Sequence, residues 1–311
     1  MRIAVLGAGA MGSLFGGYLS QHNQVWLVDI DQEKVNKINC DGIRIREPQG
    51  DLTFYPKTIT DTSGLGEVDL LIVFVKAMYS RNALFQNQHL IDDNTYVMTL
   101  QNGSGHQEIL SEFARPDRVI IGVTQHNSSI IETGYIHHGG GGKTNIGLLD
   151  GGSERIQSIA KVFNESGFET LVSNDIKRLI WNKLFLNASA SVLTGILQVK
   201  LGYLIDNEHG WFLVERLIRE AVAVANADGL SFNPDEVLAN IKTALSNSRE
   251  GYTSIYADLR NGALTEVDTI SGWVVREAKR LGVFAPSHEF VVELVHAMED
   301  KIKDNKIIPQ N

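Results

Sequence analysis

The chain begins Met1-Arg2-Ile3-Ala4-Val5-Leu6-Gly7-Ala8-Gly9-Ala10-Met11-Gly12, and this stretch decides the class of fold. Its apolar part predicts a short buried strand, and the residues from Ser13 to Gln21 predict a helix. Between them, Gly7-x-Gly9-x-x-Gly12 has the spacing of the turn that binds a pyrophosphate on the free N–H groups of a helix N-terminus. Because strand, glycine turn and helix occur in that order, the pattern predicts dinucleotide binding rather than a merely structural turn.

An acidic residue at the end of the second predicted strand indicates which dinucleotide is bound. Gln24 to Val28 form that strand, and Asp29 follows it directly. A carboxylate at this position accepts hydrogen bonds from the adenosine ribose and repels a 2′-phosphate, which favours NAD over NADP. The alternative is that Asp29 and Asp31 only cap the helix that starts near Gln32.

Composition limits the class of protein. The 311 residues are enough for two domains, and 43% hydrophobic with 21% charged residues is typical of a globular protein. A net charge of −9 argues against a nucleic-acid surface, and the single cysteine excludes internal disulfides and thiolate metal clusters. No run approaches the length of a membrane span, so we expect a cytoplasmic protein without nucleic-acid or membrane partners.

The pattern along the chain predicts two domains of different class. Strands and helices alternate in residues 1–173, with apolar runs such as 69–75, 95–100 and 119–123 that are typical of parallel strands covered on both faces. Residues 174–311 contain only helical patterns, including 175–199, 211–227 and 266–281. We therefore predict an α/β fold: a Rossmann-type dinucleotide-binding domain followed by an all-α domain for substrate and dimerisation. Its active site is expected where the carboxyl ends of the strands face the helices.

Two other features have structural interpretations. The glycines at 139–142 lack the Lys-Ser/Thr of a phosphate loop and predict a flexible connection between strands. His126, His137 and His138 do not have a metal-binding spacing on a helix, so no metal site is predicted.

The best proton donor for a ketone reduction lies in the first helix of the second domain. Lys183, Asn187 and Ser191 are four residues apart, so a regular helix places them on one face of an otherwise apolar segment. A buried lysine needs a partner, and Glu266, at a predicted helix N-terminus, is a candidate. The alternatives are a Lys183 side chain that extends to solvent and a Glu266 that is ordinary helix-terminal charge.

These motifs together resemble the ketopantoate reductase family along the whole chain. The matching elements are the glycine turn, Val75-Lys76, Gln101-Asn102-Gly103, Trp181-x-Lys183-Leu184-x-x-Asn187 and Ser254-x-x-x-Asp258 with Thr265-Glu266. The resemblance implies that Lys183 is the general acid and that Glu266 holds the substrate hydroxyl or carbonyl. It also implies two sets of binding residues. The cofactor set is Gly7, Gly9, Ala10, Met11, Gly12, Asp29, Lys76, Asn102 and Glu266. The substrate set is Asn102, Asn187, Ser191 and Ser254.

The departures from the family pattern concern the substrate. Ser191 stands where the family has a second asparagine, and a further asparagine falls near Leu201. Losing amide partners relaxes the rejection of substrates that lack a hydroxyl. Together with Asp29, this favours an NAD-dependent 2-hydroxyacid dehydrogenase that reduces C3-branched or aromatic 2-keto acids, similar to D-mandelate dehydrogenases. The resemblance implies D stereochemistry, and we expect a homodimer formed through the helical domain. The alternatives are a 2-dehydropantoate 2-reductase of pantothenate biosynthesis and a non-catalytic dinucleotide sensor.

Overall fold

The computed structural model describes residues 1–149 and 152–307, and the chain forms two compact units. The first comprises residues 1–101 and 106–179; the second comprises residues 102–105 and the chain from Ile180 onward. The sequence predicts a boundary near residue 173, a few residues before the first helix that contributes to the second unit. Positions 308–311, which the sequence assigns to the helical domain, lie outside the described residues.

The first unit is built on an eight-stranded sheet in the order β12-β11-β8-β7-β6-β1-β2-β5. Neighbouring strands are parallel except for β8 and β11, which are antiparallel. The strands that sequence predicts are all present, because their continuous apolar runs are buried on both faces of the sheet. The main-sheet strands are β1 (Arg2–Leu6), β2 (Gln24–Val28), β5 (Lys57–Ile59), β6 (Leu70–Val73), β7 (Tyr96–Thr99), β8 (Val119–Thr124), β11 (Thr144–Gly147) and β12 (Thr170–Val172).

Helices and a phenylalanine cluster complete this unit. Phe15, on the first helix, is fully buried and stacks on Phe168 with ring centroids 4.2 Å apart and on Phe74 at 5.2 Å. The stack fixes the first helix against the sheet, which positions the glycine turn at its N-terminus. The helices are α1 (Ala10–Leu19), α2 (Gln32–Asp41), α3 (Ser80–Gln86), α4 (His106–Leu110) and α5 (Gln157–Glu165).

A second sheet of four strands was not predicted. Its order is β4-β3-β10-β9, with β3 (Ile43–Glu47), β4 (Gly50–Phe54), β9 (Asn127–Glu132) and β10 (Tyr135–Gly140). Strand β3 has the alternation of a sheet with one covered face, since Ile43 and Ile45 are buried and Arg44 is exposed. The first two glycines of the 139–142 run close β10, and only the last two connect strands.

The second unit contains only helices. They are α6 (Ile176–Leu186), which begins in the first unit, then α7 (Val192–Leu197), α8 (Leu201–Asp206), α9 (Glu208–Ala227), α10 (Pro234–Asn247), α11 (Ser254–Arg260), α12 (Ser271–Leu281) and α13 (Pro286–Ile307). Asn233 caps α10, whose first residue is the predicted Pro234.

Two predictions for these helices are wrong in detail. The segment from 175 to 199 is not one regular helix, because a π-helical turn over Asn187–Ser191 separates α6 from α7. Nor does Glu266 begin a helix: residues 267–270 form turns, and α12 starts only at Ser271. The carbonyl of Glu266 accepts hydrogen bonds from the N–H groups of Thr269 and Ile270, which closes a turn where a helix was expected.

Candidate active site

The glycine turn after β1 has a specific geometric reason for two of its glycines. Gly7 has a positive φ of +103°, and a Cβ there would lie 2.9 Å from the nitrogen of Val75. A Cβ at Gly12 would lie 1.8 Å from the carbonyl oxygen of Gly7, which no side chain can tolerate. Both positions therefore require glycine, and the turn packs directly against the end of β6.

The middle glycine leaves room for a ligand. A Cβ on Gly9 would meet no atom within 4 Å, and Gly9 is the N-cap residue of α1, so no side chain occupies the space at the start of this helix. The first N–H groups of a helix have no partner within the helix, and here those of Ala10, Met11 and Gly12 follow the open position. Such an arrangement fits a pyrophosphate group. The structure thus brings together five of the predicted cofactor residues.

Asp29 lies beside this turn with partners that sequence did not show. Its Oδ2 accepts a hydrogen bond from the Ala8 N–H at 2.9 Å and forms an ion pair with Lys34 at 3.0 Å, while Oδ1 accepts the N–H of Asp31. Asp31, not Asp29, caps α2, because its Oδ1 accepts from the N–H groups of Glu33 and Lys34. The negative charge that should repel a 2′-phosphate is therefore partly balanced by a lysine.

Lys76 follows the carboxyl end of β6, and a neighbouring side chain holds that strand end. Gln101, just after β7, donates through its Nε2 to the carbonyl of Val75, and its Oε1 accepts from the hydroxyl of Thr99 at 2.8 Å. Its Nε2 is also 3.0 Å from the hydroxyl of Ser80. Gln101 belongs to the motif that sequence singled out, but its bridging of two adjacent strand ends is visible only in the fold.

Asn102 and Glu266 are brought together by Thr269, within the second unit. The Thr269 hydroxyl lies 3.3 Å from the carbonyl oxygen of Asn102 and 3.1 Å from that of Glu266, and the Ser104 N–H donates to the Thr269 carbonyl at 2.8 Å. Gly103 has a positive φ, and a Cβ on it would lie 2.3 Å from that same carbonyl. Residues distant in sequence thus meet around one threonine that sequence did not identify.

Lys183 lies on α6 among residues whose neighbours along the helix form the core. Trp181, Leu184 and Phe185 are almost fully buried, and Lys183 itself is partly buried. Desolvation lowers the pKa of the Lys183 ammonium from 10.5 to about 8, although the Glu266 carboxylate acts in the opposite direction. The interaction with Glu266 is the one that the sequence predicts. A lysine with this pKa can donate a proton near neutral pH.

The π-helical turn changes the predicted face of this segment. Asn187 begins the π turn, four residues or about one α-helical turn after Lys183. Ser191 ends the π turn, and only 2% of it is exposed. A π turn carries more residues than an α turn, so Ser191 is rotated about the axis relative to the regular four-residue pattern. The face shared by Lys183 and Asn187 therefore does not extend to Ser191 in the way that sequence predicts.

Ser254 is joined to the same turn through its neighbour. Ser254 is the exposed first residue of α11, and Thr253 caps that helix. The Thr253 hydroxyl lies 2.9 Å from that of Thr194 and 3.3 Å from the carbonyl oxygen of Ser191. The structure thus holds the start of α11 against the end of the π turn.

Leu201, at the start of α8, is partly buried and lies against the segment that leads to α11. A Cβ on Gly251 would lie 3.2 Å from its Cδ1, and its N–H donates to the Gly251 carbonyl. The position that sequence compared with a family asparagine is therefore near the α11 N-terminus.

Two of the three histidines that sequence singled out, His126 and His138, form a separate network in the first unit. The Nδ1 atom of His126 is 2.9 Å from Nε2 of His138, whose Nδ1 is 2.8 Å from a carboxylate oxygen of Glu47. Tyr18 donates to the same oxygen at 2.6 Å. Among the described residues there is no group of three or more His, Cys, Asp or Glu side chains suited to a metal ion.

Comparison with family models places the chain beside one family. The model described as ketopantoate reductase PanE/ApbA matches residues 3–151, and the model of the C-terminal domain of the same family matches residues 175–299. Within the described part of the chain, no helix is long and apolar enough to span a membrane.

Curated relatives agree along nearly the whole length. The 2-dehydropantoate 2-reductase of Halobacterium salinarum is 31% identical, and the alignment covers 97% of this chain and 98% of that protein. The 2-dehydropantoate 2-reductase of Lactococcus lactis is 32% identical over 97% and 99% of the two chains.

Among solved structures, a D-mandelate dehydrogenase with NADH and anilino(oxo)acetate is 31% identical to this chain. Its TM-score is 0.91, and the match covers 97% of this chain and all of the other.

Proposed function

Because the chain belongs to the ketopantoate reductase family, whose members are nicotinamide-dependent oxidoreductases acting on a CH–OH group, we propose that it reduces 2-dehydropantoate. The observation that carries the proposal is the Lys183–Glu266 pair on the helical unit, in which a lysine of lowered pKa interacts with a carboxylate. Two curated relatives named 2-dehydropantoate 2-reductase, each aligned over almost the whole chain, support the choice of substrate.

The proposed mechanism assigns a proton and a binding task to this chain's residues. A bound nicotinamide would supply the hydride. Lys183 gives its ammonium proton to the carbonyl oxygen as the alcohol forms, and Glu266 accepts a hydrogen bond from that oxygen's hydroxyl and keeps Lys183 charged. We assign substrate binding to Asn102, Asn187, Ser191 and Ser254. Gly7, Gly9, Ala10, Met11, Gly12, Asp29, Lys76, Asn102 and Glu266 are assigned to the cofactor.

A second candidate function is the one that sequence analysis preferred. A D-2-hydroxyacid dehydrogenase acting on C3-branched or aromatic 2-keto acids is favoured by Ser191 and Leu201, which replace amides with a shorter polar and an apolar side chain. The structural neighbour that acts on mandelate supports it, but the names of the curated relatives favour 2-dehydropantoate. A non-catalytic sensor is disfavoured, since Lys183 and Glu266 are both retained.

For the cofactor we propose NAD. Asp29 at the end of β2 supports it, and so does the structural neighbour that contains NADH. The ion pair between Lys34 and Asp29 weakens the repulsion of a 2′-phosphate, so the preference should be moderate rather than absolute.

We also propose a cytoplasmic homodimer. A lone cysteine fits a reducing compartment. The helical unit has a mainly apolar groove of about 420 Å³ between α7, α9 and α13, bordered by the exposed Leu197, Leu213 and Phe290. An apolar surface of this kind is typical of a contact with another protein, and a second copy of the chain would cover it.

A substrate panel tests the function. Initial rates with 2-dehydropantoate, benzoylformate and 2-ketoisocaproate, each with NADH and NADPH, should give the highest kcat/KM for 2-dehydropantoate. A preference of tenfold or more for benzoylformate would favour the second candidate instead. If no 2-keto acid is reduced with either cofactor, the proposed function is wrong.

A double substitution examines the pocket. Ser191→Asn with Leu201→Asn adds two amides that can bind a hydroxyl, so the kcat/KM ratio of 2-dehydropantoate to benzoylformate should rise by about tenfold, the value of roughly one added hydrogen bond. An unchanged ratio would mean that these positions do not select the substrate.

A further inference from the structure

A buried carboxylate on the last helix holds the segment that carries Glu266. Glu299 lies on α13 and is only 6% exposed. Its Oε1 accepts two hydrogen bonds from Thr265, one from the backbone N–H and one from the hydroxyl, both at 2.7 Å. The hydroxyl oxygen of Thr265 in turn accepts a hydrogen bond from the N–H of Val267 at 3.2 Å. The residues on both sides of Glu266 are therefore tied to one carboxylate.

His296, one turn before Glu299 on α13, supports this arrangement. Its Nδ1 is 3.2 Å from Oε2 of Glu299, and its Nε2 is 3.1 Å from Oδ1 of Asp268. Ionised carboxylates only accept hydrogen bonds, so a protonated imidazole, which donates from both ring nitrogens, satisfies both contacts. Desolvation lowers the pKa of His296, but hydrogen bonds to Glu299 and Asp268 outweigh it and raise the pKa above its usual value.

Because the Glu299 carboxylate is buried, its hydrogen bonds to Thr265 and His296 are needed to offset the loss of water. Removing a carboxylate from water is unfavourable unless hydrogen-bond donors satisfy it. Here the donors are Thr265 and His296, and the segment they fix contains no regular secondary structure that would hold Glu266 by itself. Small displacements of a group that binds substrate can reduce rates by up to about a hundredfold.

We propose that Glu299 is a positioning residue for Glu266, acting through Thr265, in the reduction of the 2-keto acid. This inference rests on the proposed function for the role of Glu266. Glu299 touches neither substrate nor cofactor in it, and its effect on catalysis passes entirely through the 265–267 backbone.

A double-mutant cycle tests the proposal. Glu299→Ala should lower kcat/KM for the 2-keto acid by about 10- to 100-fold, with little change in the KM for the nicotinamide cofactor. In a Glu266→Ala background the same substitution should cost less than about twofold, because the group it positions is gone. An equal loss in both backgrounds would show that Glu299 does not act through Glu266.

Conservative variants separate positioning from folding. Glu299→Gln keeps an acceptor for Thr265 and should retain at least a third of wild-type kcat/KM, so a loss as large as that of Glu299→Ala would contradict the proposal. If Glu299→Ala does not fold, Thr265→Val replaces it in the cycle, with an expected loss of about 3- to 10-fold only when Glu266 is present. Glu289→Gln is the matched control on α13, where an exposed carboxylate pairs with Lys279 at 3.2 Å.

Hydrogen exchange gives a readout that does not depend on activity. The amides of 264–270 should exchange at least tenfold faster in Glu299→Ala than in Glu299→Gln or Glu289→Gln. Unchanged exchange would overturn the inference even if the enzyme reduces another substrate. Absence of all 2-keto acid reduction in the wild type, with the expected exchange, would instead overturn the proposed function alone.

Discussion

Lys183 combines an apolar environment with a charge that the proposed reaction needs. Lys183→Met should lower kcat by about 10²- to 10⁴-fold with little effect on cofactor binding, as expected for the loss of a general acid. Lys183→Arg keeps the charge but cannot release a proton near neutral pH, so it should be almost as inactive. Steady-state kinetics with cofactor titration measure both. An active Lys183→Arg would mean that the charge, not the proton, matters.

The lowered pKa of Lys183 predicts a pH dependence for the proposed reaction. With a pKa of about 8, the ammonium is present below pH 8 and is lost as pH rises above it. The kcat/KM for reduction, which reports the pKa values of the free enzyme, should therefore be level from about pH 6 to 7.5 and then fall by up to tenfold per pH unit, while oxidation of the hydroxy acid rises over the same range. A reduction rate that is still level at pH 9.5 would argue against Lys183 as the acid.

Asp29 and Lys34 form the ion pair to which we assign the cofactor preference. Asp29→Ala removes the repulsion of a 2′-phosphate and leaves Lys34 to attract it, so the NADH-to-NADPH ratio of kcat/KM should fall by at least about tenfold. Lys34→Ala should raise the ratio, since Asp29 is then unbalanced.

The control for the cofactor pair lies one turn along the same helix. Lys37 pairs with Asp41 at 3.1 Å rather than with Asp29, so Lys37→Ala should leave the ratio unchanged. Equal effects of Lys34→Ala and Lys37→Ala would indicate only a general loss of positive charge.

At the scale of the element, helix α13 is attached to α9 by a buried neutral histidine. His288 is fully buried, its Nε2 lies 2.9 Å from the carbonyl oxygen of Leu217, and its Nδ1 has no hydrogen-bond partner among the described residues. Desolvation is the main cause that lowers its pKa from 6.5 to about 4. The unfolded chain therefore binds this proton more readily than the folded chain does.

The stability of the helical unit should consequently decrease with acid. The loss begins as pH falls below about 6.5 and is complete near pH 4, with a total of about 3 kcal/mol. His288→Gln should show a smaller decrease in the free energy of unfolding between pH 7 and pH 4.5, measured by urea titration. His209→Gln, an exposed position on α9, is the control and should behave as the wild type does. Parallel curves for all three proteins would contradict this account.

At the scale of the whole molecule, the exposed apolar groove predicts self-association. Light scattering should give the mass of a dimer for the wild type, and Leu213→Glu should shift it toward the monomer, because a charge in an apolar contact is costly. Leu52→Glu is the matched control, since Leu52 on β4 is 43% exposed against 40% for Leu213. A monomeric wild type, or equal dissociation of both variants, would rule out this surface.

The sequence by itself determined the class of fold and supplied the candidate site residues. Continuous apolar runs are enough to predict parallel strands. The glycine spacing is enough to predict the tight turn after β1, because the positions of Gly7 and Gly12 leave no space for a side chain. The charge interaction between Lys183 and Glu266 was also predicted, since a lysine in an apolar run needs a carboxylate. Each of these follows from local pattern or from the cost of burying one charge.

Only the tertiary structure decided how the site is held. The π-helical turn at Asn187–Ser191 has no signal in the local sequence pattern, and the residues that follow it are joined to α11 by the hydroxyl contact between Thr194 and Thr253. A turn follows Glu266 where a helix was predicted, and two contacts with distant parts of the chain hold this segment: Thr269, within the turn, binds the Asn102 carbonyl, and Glu299 binds the backbone N–H of Thr265. Lys34 is only five residues from Asp29, and their ion pair depends on the geometry of the turn between β2 and α2. Hydrogen bonds between residues far apart in sequence leave no periodic signal, so they become visible only when the chain is folded.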